Sequence, residues 1–172
     1  MLAIKNYLFV VICVVLLTAT SCGSDDSDTP ESSATVTFDG KVYQKPTDNE
    51  IAYIEFSVDD ETSFSIGGDV VNGLDTVNFT VRVPNLNVAT YTRSSNGGDA
   101  AVSVTPSNES TFSTSIFGQD TDMTDYEIQI IEVTNKTVSG TFSATVQSFG
   151  DESIKEVSGE FVAIDFASFF GF

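Results

Sequence analysis

Short runs of alternating apolar and polar residues fill the chain from Ala34 onward, and clusters of turn-forming residues separate these runs. The clearest run is Thr76–Val83 (TVNFTVRV), in which every second residue is apolar. An alternation of period two predicts a β-strand with one buried and one solvated face. No segment of this part keeps the 3.6-residue apolar period of an amphipathic helix. The pattern therefore predicts an all-β domain.

The turn signals indicate how these strands are connected. Asp39-Gly40 lies between two strand-like runs and predicts a two-residue hairpin. Gly67-Gly68 follows Ser63–Ile66 and is expected to end that strand. Neighbouring strands joined by short turns favour a single antiparallel β-sandwich of immunoglobulin-like type, with about nine or ten strands.

The start of the chain has a different pattern. Tyr7–Leu17 is an uninterrupted apolar run that follows Lys5 and is too short for a spanning helix, which needs about 20 residues. Small residues then lead to Cys22. We expect residues 1–21 to be a cleaved signal peptide, residues 22–33 a lipidated Cys and a disordered acidic tether, and residues 34–172 the β-sandwich domain.

Two segments near this cysteine resemble signals of bacterial lipoproteins. Thr18-Ala19-Thr20-Ser21-Cys22 resembles the lipobox, with Ala19 at the position where Leu is usual. Gly23–Asp28 (GSDDSD) resembles the acidic export signal of Bacteroidota lipoproteins. The resemblance implies acylation of Cys22 by fatty acids such as palmitate. It also implies attachment to the outer membrane, either exposed at the cell surface or facing the periplasm.

A repeated motif extends the resemblance towards the C-terminus. Gly140-Thr141-Phe142 and Gly159-Glu160-Phe161, together with Asp39-Gly40-Lys41, are similar to features of uncharacterised Bacteroidota lipoproteins with a C-terminal G-x-F hairpin. Membership of that group implies a lipid-anchored β-sandwich. It implies no activity and no site residues.

Charge and composition exclude several function classes. The chain has 7 Lys+Arg against 25 Asp+Glu, a net charge of −18, so we expect no nucleic-acid partner. It has no His, and of its two cysteines Cys13 lies in the leader and Cys22 is the acylation site. The mature protein therefore lacks the residues of a Ser-His-Asp triad or a Cys-His pair. We expect a protein that is not an enzyme and needs no cofactor.

Two candidate sites remain, each with a structural alternative. Asp120, Asp122 and Asp125 offer closely spaced carboxylates for calcium, or else form a solvated acidic loop. They do not fit an EF-hand loop, which needs Gly at its sixth position and Glu at its twelfth. Tyr91, beside the loop at residues 93–99, is a candidate ligand-binding residue, or else packs in the core.

The expected function is non-catalytic binding or scaffolding by a membrane-anchored domain, with a polysaccharide or another envelope protein as partner. One alternative is a glycan-acting enzyme that uses only carboxylates. Another is a small outer-membrane β-barrel, suggested by apolar residues that alternate towards the terminal Phe. These residues are Val162, Ile164, Phe166, Phe170 and Phe172.

Overall fold

The structure is a computed structural model that describes residues 31–45, 52–58, 61–96, 99–116, 119–120 and 124–165. The predicted lipidation site Cys22, most of the tether and the last residues of the C-terminal alternation lie outside the described residues. The described chain contains thirteen strands and one helical turn: β1 (Ser33–Phe38), β2 (Lys41–Gln44), β3 (Ala52–Val58), β4 (Glu61–Asn72), β5 (Asp75–Val83), β6 (Ala89–Thr92), α1 (Arg93–Asn96), β7 (Ala101–Pro106), β8 (Phe112–Ser113), β9 (Ser115–Ile116), β10 (Gln119–Asp120), β11 (Asp125–Val133), β12 (Thr137–Ser148) and β13 (Ile154–Asp165).

Eleven of these strands form one antiparallel sheet that folds into two layers. Layer A has the strand order β3-β4-β5-β7-β8, and layer B has the order β2-β1-β13-β12-β11-β6. The layers join at two corners, where Gln44 pairs with Val71 and Gln147 pairs with Ser113. The all-β, sandwich-like architecture that the sequence predicts is confirmed. The strand order itself could not be predicted, because alternation does not specify which strands are neighbours.

The apolar positions of both layers meet between them and form one core. The rings of Phe79 on β5 and Phe142 on β12 stack with their centroids 5.9 Å apart. The alternating apolar residues of Thr76–Val83 are all buried, as their period predicts. Burial of apolar area, at about 25 cal/mol per Å², is the main force that holds the two layers together.

The two G-x-F motifs face each other across β12 and β13. In the antiparallel register, Gly140 pairs with Phe161 and Phe142 pairs with Gly159. A Cβ on Gly140 would lie 2.6 Å from the Phe161 ring, and one on Gly159 would lie 2.7 Å from the Phe142 ring. Each aromatic ring therefore occupies the space above the opposite glycine. The motif has a packing role in the centre of layer B.

The Gly67-Gly68 pair differs from expectation, because β4 continues through it to Asn72. A Cβ on Gly67 would lie 2.2 Å from the carbonyl oxygen of Phe79 on the neighbouring strand. The glycine is needed for close approach of two backbones rather than for a turn. The chain turns instead at Gly73, which has a φ of +61°.

Two bulges interrupt the alternation in layer B. The register of β11 against β12 shifts between Ile130 and Glu132, which leaves Ile131 53% exposed. The register of β12 against β13 shifts near Ala163, which has a φ of +50° and donates its backbone N–H to Ser139 Oγ. An extra residue on one strand bends it and increases the local twist of the sheet.

Among the described residues, no helix is long and apolar enough to cross a membrane.

Candidate binding groove

A polar groove with a volume of about 1130 Å³ lies on the outer face of layer B. Its floor consists mainly of small side chains on β1, β13 and β12, because the large side chains of these strands point into the core. The turn between β1 and β2 lines it on one side, and the start of α1 lines it on the other. The lining hydroxyl residues on its surface are Thr37, Thr92, Ser94, Ser143, Thr145 and Ser158, and the lining carboxylates are Asp125, Glu127 and Glu156.

The strand register aligns five of these side chains in one row across layer B. Thr37 pairs with Ser158, Ser158 with Ser143, Ser143 with Glu127, and Glu127 with Thr92. Paired residues of antiparallel strands point to the same face, so their side chains are neighbours. We call this set the hydroxyl row. Four of its five members carry a hydroxyl group, and the fifth carries a carboxylate.

A network of hydrogen bonds fixes the wall of the groove next to α1. The Arg93 guanidinium donates to the carbonyl oxygen of Thr124. The Thr124 hydroxyl, which is buried, donates to the carbonyl oxygen of Thr114 at 2.8 Å. The Thr114 hydroxyl accepts from the backbone N–H of Val102 at 3.0 Å. Arg93 is therefore connected through Thr124 and Thr114 to strand β7, and these hydrogen bonds fix the position of this wall.

The candidate calcium residues are only partly within the described residues. Asp122 and the side chain of Asp120 lie outside them. Asp125 is exposed and lines the groove, and its Oδ1 accepts from the backbone N–H of Tyr126 at 2.8 Å. The part of the chain that the structure describes contains no group of three His, Cys, Asp or Glu residues that could hold a metal ion. Calcium binding by Asp120, Asp122 and Asp125 stays a prediction.

Tyr91 packs in the core, as its structural alternative has it, and does not line the groove; ligand binding by Tyr91 stays a prediction. Its side chain is 4% exposed, so its ring presents no free face to a ligand. The Tyr91 hydroxyl lies 2.9 Å from the backbone oxygen of Asn85 and 2.6 Å from Asn85 Oδ1. Burial disfavours the phenolate and raises the pKa of Tyr91 above its ordinary value. This tyrosine joins the loop before β6 to the core.

The groove residues were not found by the sequence analysis, although part of the signal was present. The solvated positions of β1, β11, β12 and β13 can be read from the alternation as Thr, Ser and Glu. The alignment of these side chains in one row cannot be predicted from the alternation, because it depends on which strands are neighbours and on their register. Strands β1 and β13, for example, are far apart in the chain and adjacent in the sheet.

Comparison with known proteins gives no match, whether to family models, to curated proteins or to solved structures. The resemblance to Bacteroidota lipoproteins stays a prediction from the sequence.

Proposed function

We propose that this chain is a lipid-anchored protein of the bacterial outer membrane whose β-sandwich binds an extracytoplasmic partner through the polar groove, without catalysis. The sequence supports the anchor through its short apolar leader and the small residues before Cys22. A single acyl chain binds a membrane only marginally, whereas two or more hold a protein firmly. A lipobox cysteine that carries several chains would be a stable anchor.

The observation that supports binding most strongly is the position of the groove relative to the tether. The tether joins the domain at Ser33, where β1 begins, whereas Thr37 and Gly40 line the groove at the other end of that strand. At about 3.4 Å per residue, the four residues from Ser33 to Thr37 place the start of the groove roughly 14 Å along the domain from the tether. An anchored domain would thus hold the groove away from the lipid surface, where a partner can reach it.

The composition of the groove supports a non-catalytic role. The chain has no His, and no Cys lines the groove. The lining carboxylates are the acid–base groups that the glycan-acting alternative would use, so replacing them separates the two functions. Glycan turnover by the wild-type protein that is lost in both Glu127→Gln and Glu156→Gln would contradict the non-catalytic proposal.

Membrane fractionation of producing cells tests the anchor. The wild-type protein is expected in the outer-membrane fraction, released by detergent and not by high salt. Cys22→Ser removes the acylated thiol, so this variant is expected in the soluble fraction. Cys13→Ser, in the predicted leader, is the matched control and should leave attachment unchanged. Retention of Cys22→Ser in the membrane would contradict the proposal.

A further inference from the structure

The chemistry of the groove indicates what it binds, on the premise that it is the binding surface proposed above. We infer that the groove takes an extended oligosaccharide without anionic groups, which lies across the strands of layer B, along the hydroxyl row. The inference depends on three properties of the groove: its hydrogen-bonding groups, its charge and its length.

The hydrogen-bonding groups match a ligand that is rich in hydroxyls. The Thr92 hydroxyl already shares a hydrogen bond with the Ser94 hydroxyl at 3.1 Å. The hydroxyls of Thr37, Ser143 and Ser158 can each donate one hydrogen bond and accept others, as a sugar hydroxyl does. The carboxylates of Glu127 and Glu156 accept only, and a hydrogen bond from a hydroxyl to a carboxylate is stronger than one between neutral groups. A ligand that presents many hydroxyls therefore satisfies both kinds of lining group. A purely apolar ligand would displace water from the exposed lining groups and offer them no hydrogen bonds in return.

The charge of the groove disfavours anionic ligands. Its lining has three carboxylates, Asp125, Glu127 and Glu156, and one cationic side chain, Arg93, which already donates to Thr124. The whole chain has a net charge of −18. Like charges repel at long range and raise the free-energy cost of close approach, so phosphorylated, sulfated and uronic-acid polymers are disfavoured.

The length of the groove favours a chain of several sugar units over a single small molecule. The hydroxyl row runs from β1 through β13, β12 and β11 to β6, and four gaps of about 4.8 Å give a length of roughly 19 Å. The groove volume of about 1130 Å³ exceeds the roughly 300–1,000 Å³ of most small-molecule pockets. Its floor contains Ser143 and Ser158, whose small side chains leave room for a ligand to lie on the sheet.

Isothermal titration calorimetry on the full-length protein in detergent tests the inference. The neutral probes are maltohexaose, cellohexaose, mannohexaose and xylohexaose. Hexagalacturonate is the anionic probe of equal length. We expect at least one neutral hexaose to bind more tightly than hexagalacturonate.

Two matched pairs of variants place the ligand in the groove. Ser143→Phe fills the floor, whereas Thr141→Phe changes the same strand and face outside the lining. Glu156→Gln removes a lining carboxylate, whereas Glu160→Gln removes an exposed carboxylate of β13 outside the lining. The groove variants should weaken binding by about tenfold or more, and their controls by less than about twofold. Thermal melting of each variant verifies that the fold is intact.

Three results would overturn the inference: no binding of any neutral hexaose, tighter binding of hexagalacturonate than of every neutral hexaose, or wild-type affinity in folded Ser143→Phe. None of these results bears on the anchor, because calorimetry in detergent does not depend on acylation of Cys22. Conversely, a failed fractionation test leaves the ligand measurement intact. The two proposals can therefore fail separately.

Discussion

At the scale of single residues, Lys155 has the most unusual surroundings. Its side chain is 19% exposed, and its Nζ lies 5.1 Å from the centre of the Phe38 ring and 4.7 Å from that of Phe112. The same ammonium pairs with Glu109 at 2.9 Å and with Asp39 at 3.4 Å. Lys155 thus covers two core aromatics at one end of the sandwich while its charge stays paired.

Lys155→Met tests this arrangement, because methionine keeps much of the apolar chain and removes the charge. We expect a loss of about 1–2 kcal/mol in the free energy of unfolding, from the cation–π and ion-pair contacts together. Lys41→Met is the matched control, since Lys41 forms only an exposed pair with Asp75 at 3.3 Å. Denaturant unfolding measures both. An equal effect of the two substitutions would contradict the role given to Lys155.

The contribution of Lys155 should also depend on pH. Burial lowers the pKa of Lys155, but the hydrogen bonds and charges of Glu109 and Asp39 outweigh it and hold the pKa above its ordinary value of 10.5. A group whose pKa is raised by folding stabilises the folded state fully below its unfolded pKa, and this stabilisation is lost as the pH rises through the folded pKa. The difference between wild type and Lys155→Met should be constant near neutral pH and shrink in alkaline solution above about pH 10.5.

At the scale of elements, the paired G-x-F motifs make a sharp prediction about the centre of layer B. Gly140→Ala places a Cβ 2.5 Å from the carbonyl oxygen of Gln129 and 2.6 Å from the Phe161 ring. We expect a loss of about 1–3 kcal/mol in the free energy of unfolding, because overpacking forces the ring or the strand to move. Chemical denaturation measures this loss.

Gly150→Ala is the matched control for that substitution. Its new Cβ would lie 2.5 Å from Ser110 Oγ, the end of a side chain that can rotate away. Gly150→Ala should therefore lower the free energy of unfolding by less than Gly140→Ala does. An equal loss in the two variants would contradict a special role for the pairing of glycine with phenylalanine.

An element could be predicted when the residues that cause it are neighbours in the sequence, and not when they lie on another strand. The Asp39-Gly40 hairpin was predicted from two residues, and the structure gives both a positive φ, 50° and 74°, as such a turn requires. The continuation of β4 through Gly67 was not predicted, because its cause is the backbone of Phe79 on another strand. A turn formed by neighbouring residues can be predicted from the sequence. Close approach of two strands cannot, because it depends on which strands the fold makes neighbours.

At the scale of the whole molecule, the sequence predicts how the protein is anchored, whereas the described residues form the β-sandwich. The sequence predicts a leader, an acylated cysteine and an acidic tether, all of which end near the first described residues. The structure describes a sandwich in which Ser33 lies at one end of β1 and the groove begins near the other end. The groove itself could not be predicted, because its row crosses five strands whose order depends on non-local pairing.

The central claim is that acyl chains on Cys22 hold this β-sandwich at the bacterial envelope. Intact-mass and N-terminal peptide mass spectrometry of the protein purified from native membranes tests it most directly. We predict a mature chain that begins at Cys22 and carries the added mass of a diacylglyceryl group. A chain that begins at any other residue, or that begins at Cys22 without fatty acid, would contradict the account.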